Sequence, residues 1–241
     1  MSATTILILT LFAIGAAFVQ RTTGFGFGIF IMTWLPYLLP TYGEATTLSG
    51  ALAMVTSAYL AIRYRKALNW RKLLPILLTF MIVSALAVMM VGQLRSETLQ
   101  KILGSTLILA AVYFWFLGEK VRVKPTLATQ VSLGTISGFM GGLFGMQGPP
   151  AVIYFLEVAE SKEAYTALAQ TFFILGNGVM TIYRAYSGFL TMNVVKAWCF
   201  ALPAVFIGTW IGGKVYNHIH IELLKKIVYI FIAVSGIIAL L

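Results

Sequence analysis

Charge and cysteine are what this sequence has least of. Only 10% of its 241 residues are charged and 60% are hydrophobic, whereas a soluble domain is about 25% charged and about 45–50% apolar. A chain of this length cannot bury so much apolar surface in one aqueous core. The composition therefore excludes a soluble enzyme and a disordered chain, and it predicts an integral membrane protein with almost no soluble part.

The chain also lacks the residues that metal and redox chemistry need. It has a single cysteine, Cys199, in an apolar run, so neither an internal disulfide nor a cysteine-type metal site can form. His218 and His220 are two residues apart, which is not the helical spacing of metal ligands. The sequence has no phosphate-binding loop and no metalloprotease motif. We therefore expect no metal, no cofactor and no catalytic residue, and no hydrolysis of ATP by this chain.

Acidic residues are scarce, and the net charge is +10 from 17 Lys and Arg against 7 Asp and Glu. The basic residues cluster in short loops between apolar runs, as they do in the cytoplasmic loops of membrane proteins. A nucleic-acid interface would need a basic face on a folded domain, so we exclude nucleic acid as a partner and expect the lipid bilayer. Residues 1–20 contain no basic residue, so we interpret them as a membrane helix and not as a cleaved signal.

Long apolar runs fill most of the chain. A membrane-spanning helix needs about 20 predominantly apolar residues, and eight hydrophobic segments can be delimited. They cover residues 5–40, 45–62, 73–94, 102–118, 126–156, 164–183, 197–213 and 227–241. The sequence therefore predicts an all-α membrane protein.

Segments one and five are too long for a single simple span. As continuous helices, their roughly 36 and 31 residues would measure about 54 Å and about 46 Å, against a hydrocarbon core of about 30 Å. Each contains residues that destabilise helices. The first glycine motif is residues 24–28 (Gly-Phe-Gly-Phe-Gly), and the second is residues 141–150 (Gly-Gly-Leu-Phe-Gly-Met-Gln-Gly-Pro-Pro). We predict that both segments are broken or re-entrant at these motifs.

The same short sequences recur in the same order in both halves of the chain. The matching pairs are Glu44-Ala45 with Glu163-Ala164, Tyr64-Arg65 with Tyr183-Arg184, and Leu74-Pro75 with Leu202-Pro203. This order predicts two four-segment repeats, residues 1–118 and 126–241, joined by a charged linker at residues 119–125. Paired breaks in duplicated halves are typical of secondary transporters.

The basic loops favour one orientation of the repeats. Loops between segments two and three and between four and five are basic, so both should be cytoplasmic. If segments one and five cross fully, the halves are parallel and the basic loop between segments seven and eight lies outside. If both are re-entrant, the halves are inverted and that loop lies inside. We favour the inverted arrangement, which puts Arg184 at the outer side, and the parallel one remains the alternative.

Arg21 is the only charged residue before Glu44. A charge at bilayer depth costs about 2.5 to over 10 kcal/mol, so it normally faces a cavity and marks a pathway. We interpret Arg21 as the counter-charge of an anionic substrate. The alternative is an arginine that reaches the interface or pairs with a carbonyl.

The helices that restart after the motifs supply a second means of binding an anion. Their first N–H groups lack partners and carry partial positive charge, and such ends bind anions; proline suits the first turn. The alternative is that the glycines only permit close helix packing, with Asn177 as an inter-helix contact. The expected substrate-binding residues are Gln20, Arg21, Thr22, Thr23, Gly24, Phe25, Gly26, Gly28, Gly145, Met146, Gln147, Gly148, Pro149 and Asn177.

At residues 20–28, 141–150, 161–164 and 202–203 the chain resembles the TauE/SafE family of membrane transporters, also called sulfite exporters. The resemblance covers nearly the whole chain. It implies two tandem four-segment repeats and the export of sulfite or a small organosulfonate such as sulfoacetate. Many members carry a triple-glycine run in each half, where this chain has Gly26-Phe27-Gly28 and Gly148-Pro149-Pro150. That departure leaves the exact substrate open.

Together these features predict a multi-pass secondary transporter of the bacterial inner (plasma) membrane. It would move a small sulfur-containing oxyanion, held between two discontinuous helices, and export is favoured. The alternatives are an anion channel or permease for another small anion, an uptake carrier, and an accessory membrane protein that moves no solute. The coupling ion and the oligomeric state, homo-oligomer included, stay open.

Overall fold

The computed structural model describes residues 2–116 and 123–215, together with residues 229–230, 233–234 and 236–240. Within these residues the chain is helical and contains no strand, which confirms the predicted all-α class. Most of the predicted linker and part of the eighth segment lie outside the described residues, as do His218 and His220.

The described residues between 229 and 240 are helical, and residues 2–116 and 123–215 contain ten α-helices, with one turn of 3₁₀-helix at Arg65–Ala67 between the fourth and the fifth. Their bounds are α1 Ala3–Thr23, α2 Phe27–Met32, α3 Leu35–Leu38, α4 Tyr42–Arg63, α5 Trp70–Val91, α6 Ser96–Phe116, α7 Leu127–Phe144, α8 Gly148–Val158, α9 Lys162–Tyr186 and α10 Met192–Val215.

Four of these helices, α1, α4, α5 and α10, are long and apolar enough to cross a membrane, by length and composition. Their outer faces carry large apolar side chains. On α5, Leu78, Ile82 and Leu86 lie four residues apart on one face and are each more than half exposed. In water such a stripe would be a large apolar patch, whereas in lipid it meets hydrocarbon.

Side-chain caps set where several helices begin. Thr41, Thr126 and Ser161 each accept a hydrogen bond from the backbone N–H three residues later, which satisfies one of the N–H groups that a helix start leaves unpaired. Asn69 caps α5 in the same manner through the N–H of Arg71. These capping residues lie in the short polar connections between apolar runs. The helices therefore begin close to where the apolar runs begin.

Three helix pairs make the most extensive contacts: α1 with α10, α5 with α7, and α4 with α9. Glycines allow two of these pairs to approach closely. A Cβ added at Gly142 of α7 would lie 2.5 Å from the Cβ of Ala87 on α5, and one added at Gly208 of α10 would lie 2.2 Å from the carbonyl oxygen of Ile14 on α1. Small residues at helix contacts are the usual packing device in membranes.

An aromatic cluster supports the helices around the second glycine motif. The ring of Phe172 on α9 meets Phe80 of α5 at a centroid distance of 4.9 Å and Phe155 of α8 at 5.4 Å, edge to face in both cases. All three rings are fully buried. Because α8 begins within the second motif, at Gly148, this cluster helps to hold that motif in place.

Candidate functional site

The first glycine motif ends α1 and separates it from α2. Gly24 and Gly26 have φ values of +86° and +98°, in the left-handed region that residues with a Cβ rarely adopt. Gly24 donates its N–H to the carbonyl of Gln20 and closes α1, and α2 begins at Phe27. The chain therefore leaves the helical conformation within this motif.

The second glycine motif interrupts the chain in a similar way. α7 ends at Phe144, and Gly145, with φ +69°, donates its N–H to the carbonyl of Gly141. α8 then begins at Gly148, with Pro149 and Pro150 in its first turn. Proline is favourable there because its missing N–H would have had no partner within the helix.

The two motifs are in direct contact with each other. A Cβ added at Gly28 would lie only 2.1 Å from the carbonyl oxygen of Gly145. A Cβ added at Gly148 would lie 3.4 Å from the Cβ of Phe25. The backbones of the two interruptions thus approach so closely that only glycine fits at position 28.

A small cavity of about 20 Å³ lies at this contact. A single water needs roughly 10–15 Å³ of such space, so the cavity holds about one water and is too small for an anion of several heavy atoms. Its lining in the described part of the chain contains no charged side chain. The lining residues are Gln20, Gly26, Phe27, Gly28, Ile29, Ala53, Gly145, Met146, Gln147, Gly148, Phe173 and Asn177.

Buried polar groups without partners surround the cavity. Gln147 donates its Nε2 to the carbonyl of Phe173 at 3.4 Å, but its Oε1 is buried and has no hydrogen-bond partner. The Oγ of Ser49 is also buried and unpartnered, and it lies 3.6 Å from the Cβ positions of both Gly28 and Gly145. Such groups cost about 1–3 kcal/mol each, so a polar ligand that satisfied them would be stabilised here.

Two glutamines connect the end of α1 and the first motif to neighbouring helices. Gln20 donates its Nε2 to the Oγ of Ser57 on α4 at 2.8 Å. Gln170 of α9 donates its Nε2 to the carbonyl of Gly24 at 2.8 Å. Side chains of α4 and α9 therefore hold the last turn of α1 and the first motif, respectively.

Of the residues predicted to bind substrate, eight line the small cavity: Gln20, Gly26, Gly28, Gly145, Met146, Gln147, Gly148 and Asn177. Gly24, Phe25 and Pro149 belong to the motifs but do not line it. Thr22 and Thr23 use their hydroxyls locally: Thr22 donates to the carbonyl of Phe18, and Thr23 donates to that of Val19.

Arg21 lies in a different place from the one its sequence neighbours suggest. It lines a wider cavity of about 650 Å³ together with Val55, Tyr59, Phe206, Thr209, Trp210, Gly213 and Lys214. The ammonium of Lys214 lies 3.8 Å from the centroid of the Trp210 ring, a cation–π contact. Because Gln20 lines the small cavity and Arg21 the wider one, the last turn of α1 separates the two.

Sequence reasoning missed the cation that lies at the second motif. Arg184 of α9, expected at the outer end of its segment, is only 1% exposed. It donates from Nη2 to the carbonyls of Gly141 and Gly142, at 2.8 and 3.2 Å, and from Nη1 to that of Thr46 at 2.9 Å. The available signal was helical register, because Asn177 and Arg184 are seven residues apart and share one face of α9.

Comparison with known proteins agrees with the family resemblance of the sequence. The family description "Sulfite exporter TauE/SafE" matches residues 8–238. A probable sulfite/organosulfonate exporter TauE of Cupriavidus necator is 25% identical over 209 residues, which cover 81% of this chain and 78% of that protein. No solved structure matches the chain. With its apolar helices and its match over nearly the whole length, the chain belongs to the TauE/SafE family, whose members are multi-pass membrane transporters and not enzymes.

Proposed function

We infer that this chain is a secondary transporter that exports sulfite or a small organosulfonate across the bacterial inner membrane, with the anion bound where the two glycine motifs meet. The observation that carries the proposal is the contact of Gly28 with the carbonyl of Gly145 beside a cavity lined by buried amides. The name of the Cupriavidus necator relative supports the substrate class.

The start of α8 is suited to an oxyanion. The first N–H groups of a helix have no partner within it and carry partial positive charge. In α8 these positions are Gln147, Gly148, Pro149 and Pro150, and proline has no N–H. Gln147 and Gly148 therefore supply the donors, with the amide of Asn177 beside them. α2 has only six residues, so its dipole adds little.

Transport requires the small cavity to open. At about 20 Å³ it has no room for the anion, so the anion can bind there only after the two motifs move apart. In alternating access, one repeat rocks against the other around a fixed central site. The wider cavity, with Arg21 and Lys214 on its wall, is the entrance in this proposal, because clustered positive charge raises the local concentration of anions.

The packing of the helices supports two repeats. In the two-repeat prediction, α1 corresponds to α7 and α5 corresponds to α10. The α1–α10 contact and the α5–α7 contact then join the same two positions of the repeat, each time between the two halves. α4 and α9, equivalent to each other, would then pair across the axis between the halves. Because both contacts lie between the halves, each half has a surface along which it can move against the other. We prefer the arrangement in which the halves are inverted and segments one and five are re-entrant.

Counterflow in proteoliposomes tests the proposal. Vesicles with purified protein are loaded with unlabelled sulfite and diluted into a trace of ³⁵S-sulfite. A carrier exchanges the two and accumulates label transiently above the external concentration, whereas a channel only equilibrates it. We expect transient accumulation, inhibited by sulfoacetate and unaffected by chloride.

Empty liposomes are the control for leakage. Label that only equilibrates would favour the channel alternative, and flux no greater than in empty liposomes would contradict transport of sulfite altogether. Inhibition by chloride as strong as that by sulfoacetate would favour a permease for another small anion.

A further inference from the structure

We propose that Arg184 is the cation that neutralises the transported anion, and that it rests on backbone carbonyls of the second glycine motif until the anion replaces them. The inference rests on the proposed function and assigns a binding residue to the same site. The guanidinium of Arg184 is fully buried, and the contact between the two motifs does not by itself require a buried charge there.

Arg184 lies directly behind the small cavity. A Cβ added at Gly50 of α4 would lie 3.3 Å from both the Nη1 of Arg184 and the Oδ1 of Asn177, so at most twice that distance separates the two atoms. Asn177 lines the cavity. The guanidinium therefore lies close to a side chain of the cavity wall, and the absence of a side chain at Gly50 lets both polar groups approach α4 closely.

The charge of Arg184 has no carboxylate partner in the part of the chain that the structure describes. The ion pairs found there are Lys72–Glu160 and Lys101–Glu97. The carboxylate of Glu44 accepts a hydrogen bond from Thr191 instead. A buried charge that lacks an opposite charge is strongly destabilising in protein and in lipid, so an anion is the partner that this site lacks.

The three carbonyls only partly compensate for the burial of the guanidinium. Those of Gly141 and Gly142 belong to the last turn of α7, the negative end of that helix dipole, which makes them good resting partners for a cation. The Nε of Arg184 is nevertheless buried without a partner, and so is the Oγ1 of Thr181, which lies 3.6 Å from the same Cβ position at Gly50. These unused groups provide a donor N–H and a hydroxyl that an anion could bond.

Polar groups form a track along one face of α9. Gln170, Asn177 and Arg184 follow each other at intervals of seven residues, which keeps them on the same side of the helix. Gln170 contacts the first motif through the carbonyl of Gly24, Asn177 lines the cavity, and Arg184 contacts the second motif. An anion that leaves the cavity past Asn177 therefore reaches Arg184 next.

Binding of the anion would replace carbonyl acceptors of Arg184 with oxygen atoms of the anion. Oxygen atoms of the anion accept hydrogen bonds from the guanidinium, and the carbonyls of Gly141 and Gly142 lose theirs. Bonds from the guanidinium to an oxyanion join opposite charges and can be bidentate, whereas the carbonyls carry no net charge, which favours the exchange. Because those carbonyls end α7, their release frees the second motif to move, and anion binding is thereby coupled to opening.

The test compares Arg184→Gln with a matched control, Arg63→Gln. Arg63 lies in the last turn of α4 and is exposed, with its Nη1 donating to the hydroxyl of Tyr59. Melting of the detergent-purified protein is measured against sulfite concentration, together with counterflow. We expect wild type and Arg63→Gln to be stabilised by sulfite alike, and Arg184→Gln to lose that stabilisation and its counterflow.

Two milder variants cover the case in which Arg184→Gln does not fold. Arg184→Lys keeps the charge but not the planar fork, so the sulfite concentration for half-maximal stabilisation should rise and counterflow should remain measurable. Gly50→Ala keeps the arginine but places a Cβ 3.3 Å from its Nη1, and it should weaken sulfite binding in the same way. A purely structural arginine would lower the melting temperature without sulfite and leave the sulfite dependence unchanged.

The outcomes separate this inference from the proposed function. If wild type transports sulfite and Arg184→Gln or Gly50→Ala keeps the wild-type sulfite dependence, the role of Arg184 is overturned and the transporter stands. If wild type shows neither stabilisation nor counterflow with sulfite, both proposals fall.

Discussion

At the scale of single residues, one step along a helix decides which cavity a side chain faces. Successive residues of an α-helix are rotated by about 100°. Gln20 therefore lines the small cavity at the motif contact, while Arg21 lines the wider one. The sequence shows that both are polar residues in an apolar run, but it does not contain the packing of α4 and α10 that makes their surroundings differ.

We expect Arg21→Gln to weaken the capture of anions without abolishing transport. Arg21 contributes positive charge to the wall of the wider cavity, so its loss should raise the KM for sulfite and leave the maximal rate close to that of wild type. Initial rates of ³⁵S-sulfite uptake over a range of concentrations measure both quantities.

Arg95→Gln is the control, because Arg95 is an exposed cation that lines neither cavity. An unchanged KM in Arg21→Gln would contradict the role of Arg21. Complete loss of sulfite binding would instead support the stronger prediction made from the sequence, that Arg21 is the direct counter-charge.

At the scale of helices, the two breaks arise from local sequence, whereas the contact between them arises from tertiary packing. Glycine and proline destabilise helices wherever they occur, so residues 24–28 and 141–150 could be recognised as weak points from composition. The contact of Gly28 with the carbonyl of Gly145 depends on the packing of helices that are far apart in the chain, which no local rule contains. The sequence could thus predict two breaks, but their contact required the fold.

Gly28→Ala should damage the motif contact directly. The added Cβ would lie 2.1 Å from the carbonyl oxygen of Gly145, a backbone atom that cannot turn away. Overpacking of this kind costs about 1–3 kcal/mol, so we expect a lower melting temperature and little counterflow.

Gly178→Ala makes the same chemical change on α9, where the new Cβ would meet only the Cε of Met54 at 3.6 Å. In a helix this exchange is favourable by about 1 kcal/mol, so stability and transport should be maintained. Wild-type counterflow in Gly28→Ala would show that the motif contact does not take part in transport.

At the scale of the whole molecule, few polar contacts join distant parts of the described chain. One of them connects the start of α5 to the turn after α8: the ammonium of Lys72 lies 2.6 Å from a carboxylate oxygen of Glu160 and donates to the carbonyl of Val158 at 2.9 Å. The hydrogen bond and charge of Lys72 lower the pKa of the exposed Glu160 carboxyl. This connection therefore depends on pH.

Glu160 should stabilise the protein at neutral pH but not in acid. Because its pKa is lowered in the folded state, its contribution is complete above the unfolded pKa of about 4.3 and is lost as the pH falls through the folded pKa. The melting temperature of wild type should exceed that of Glu160→Gln at pH 7, and the two should converge in acid.

Lys72→Met loses both bonds and should melt below Glu160→Gln at neutral pH. Glu97→Gln is the control, because Glu97 pairs with Lys101 within α6 and connects no distant elements. A gap between wild type and Glu160→Gln that persists unchanged in acid would contradict the ion pair as its cause.

By itself, the sequence determined the membrane class, the helical content and the two glycine motifs, because composition, apolar run length and backbone preference are local properties. Only the tertiary structure decided that the motifs touch, that Arg21 faces the wider cavity and that Arg184 is buried on the carbonyls of Gly141 and Gly142. Each of these facts involves at least one pair of residues more than 40 positions apart in the chain. Their meeting is set by helix packing, which no single stretch of sequence encodes.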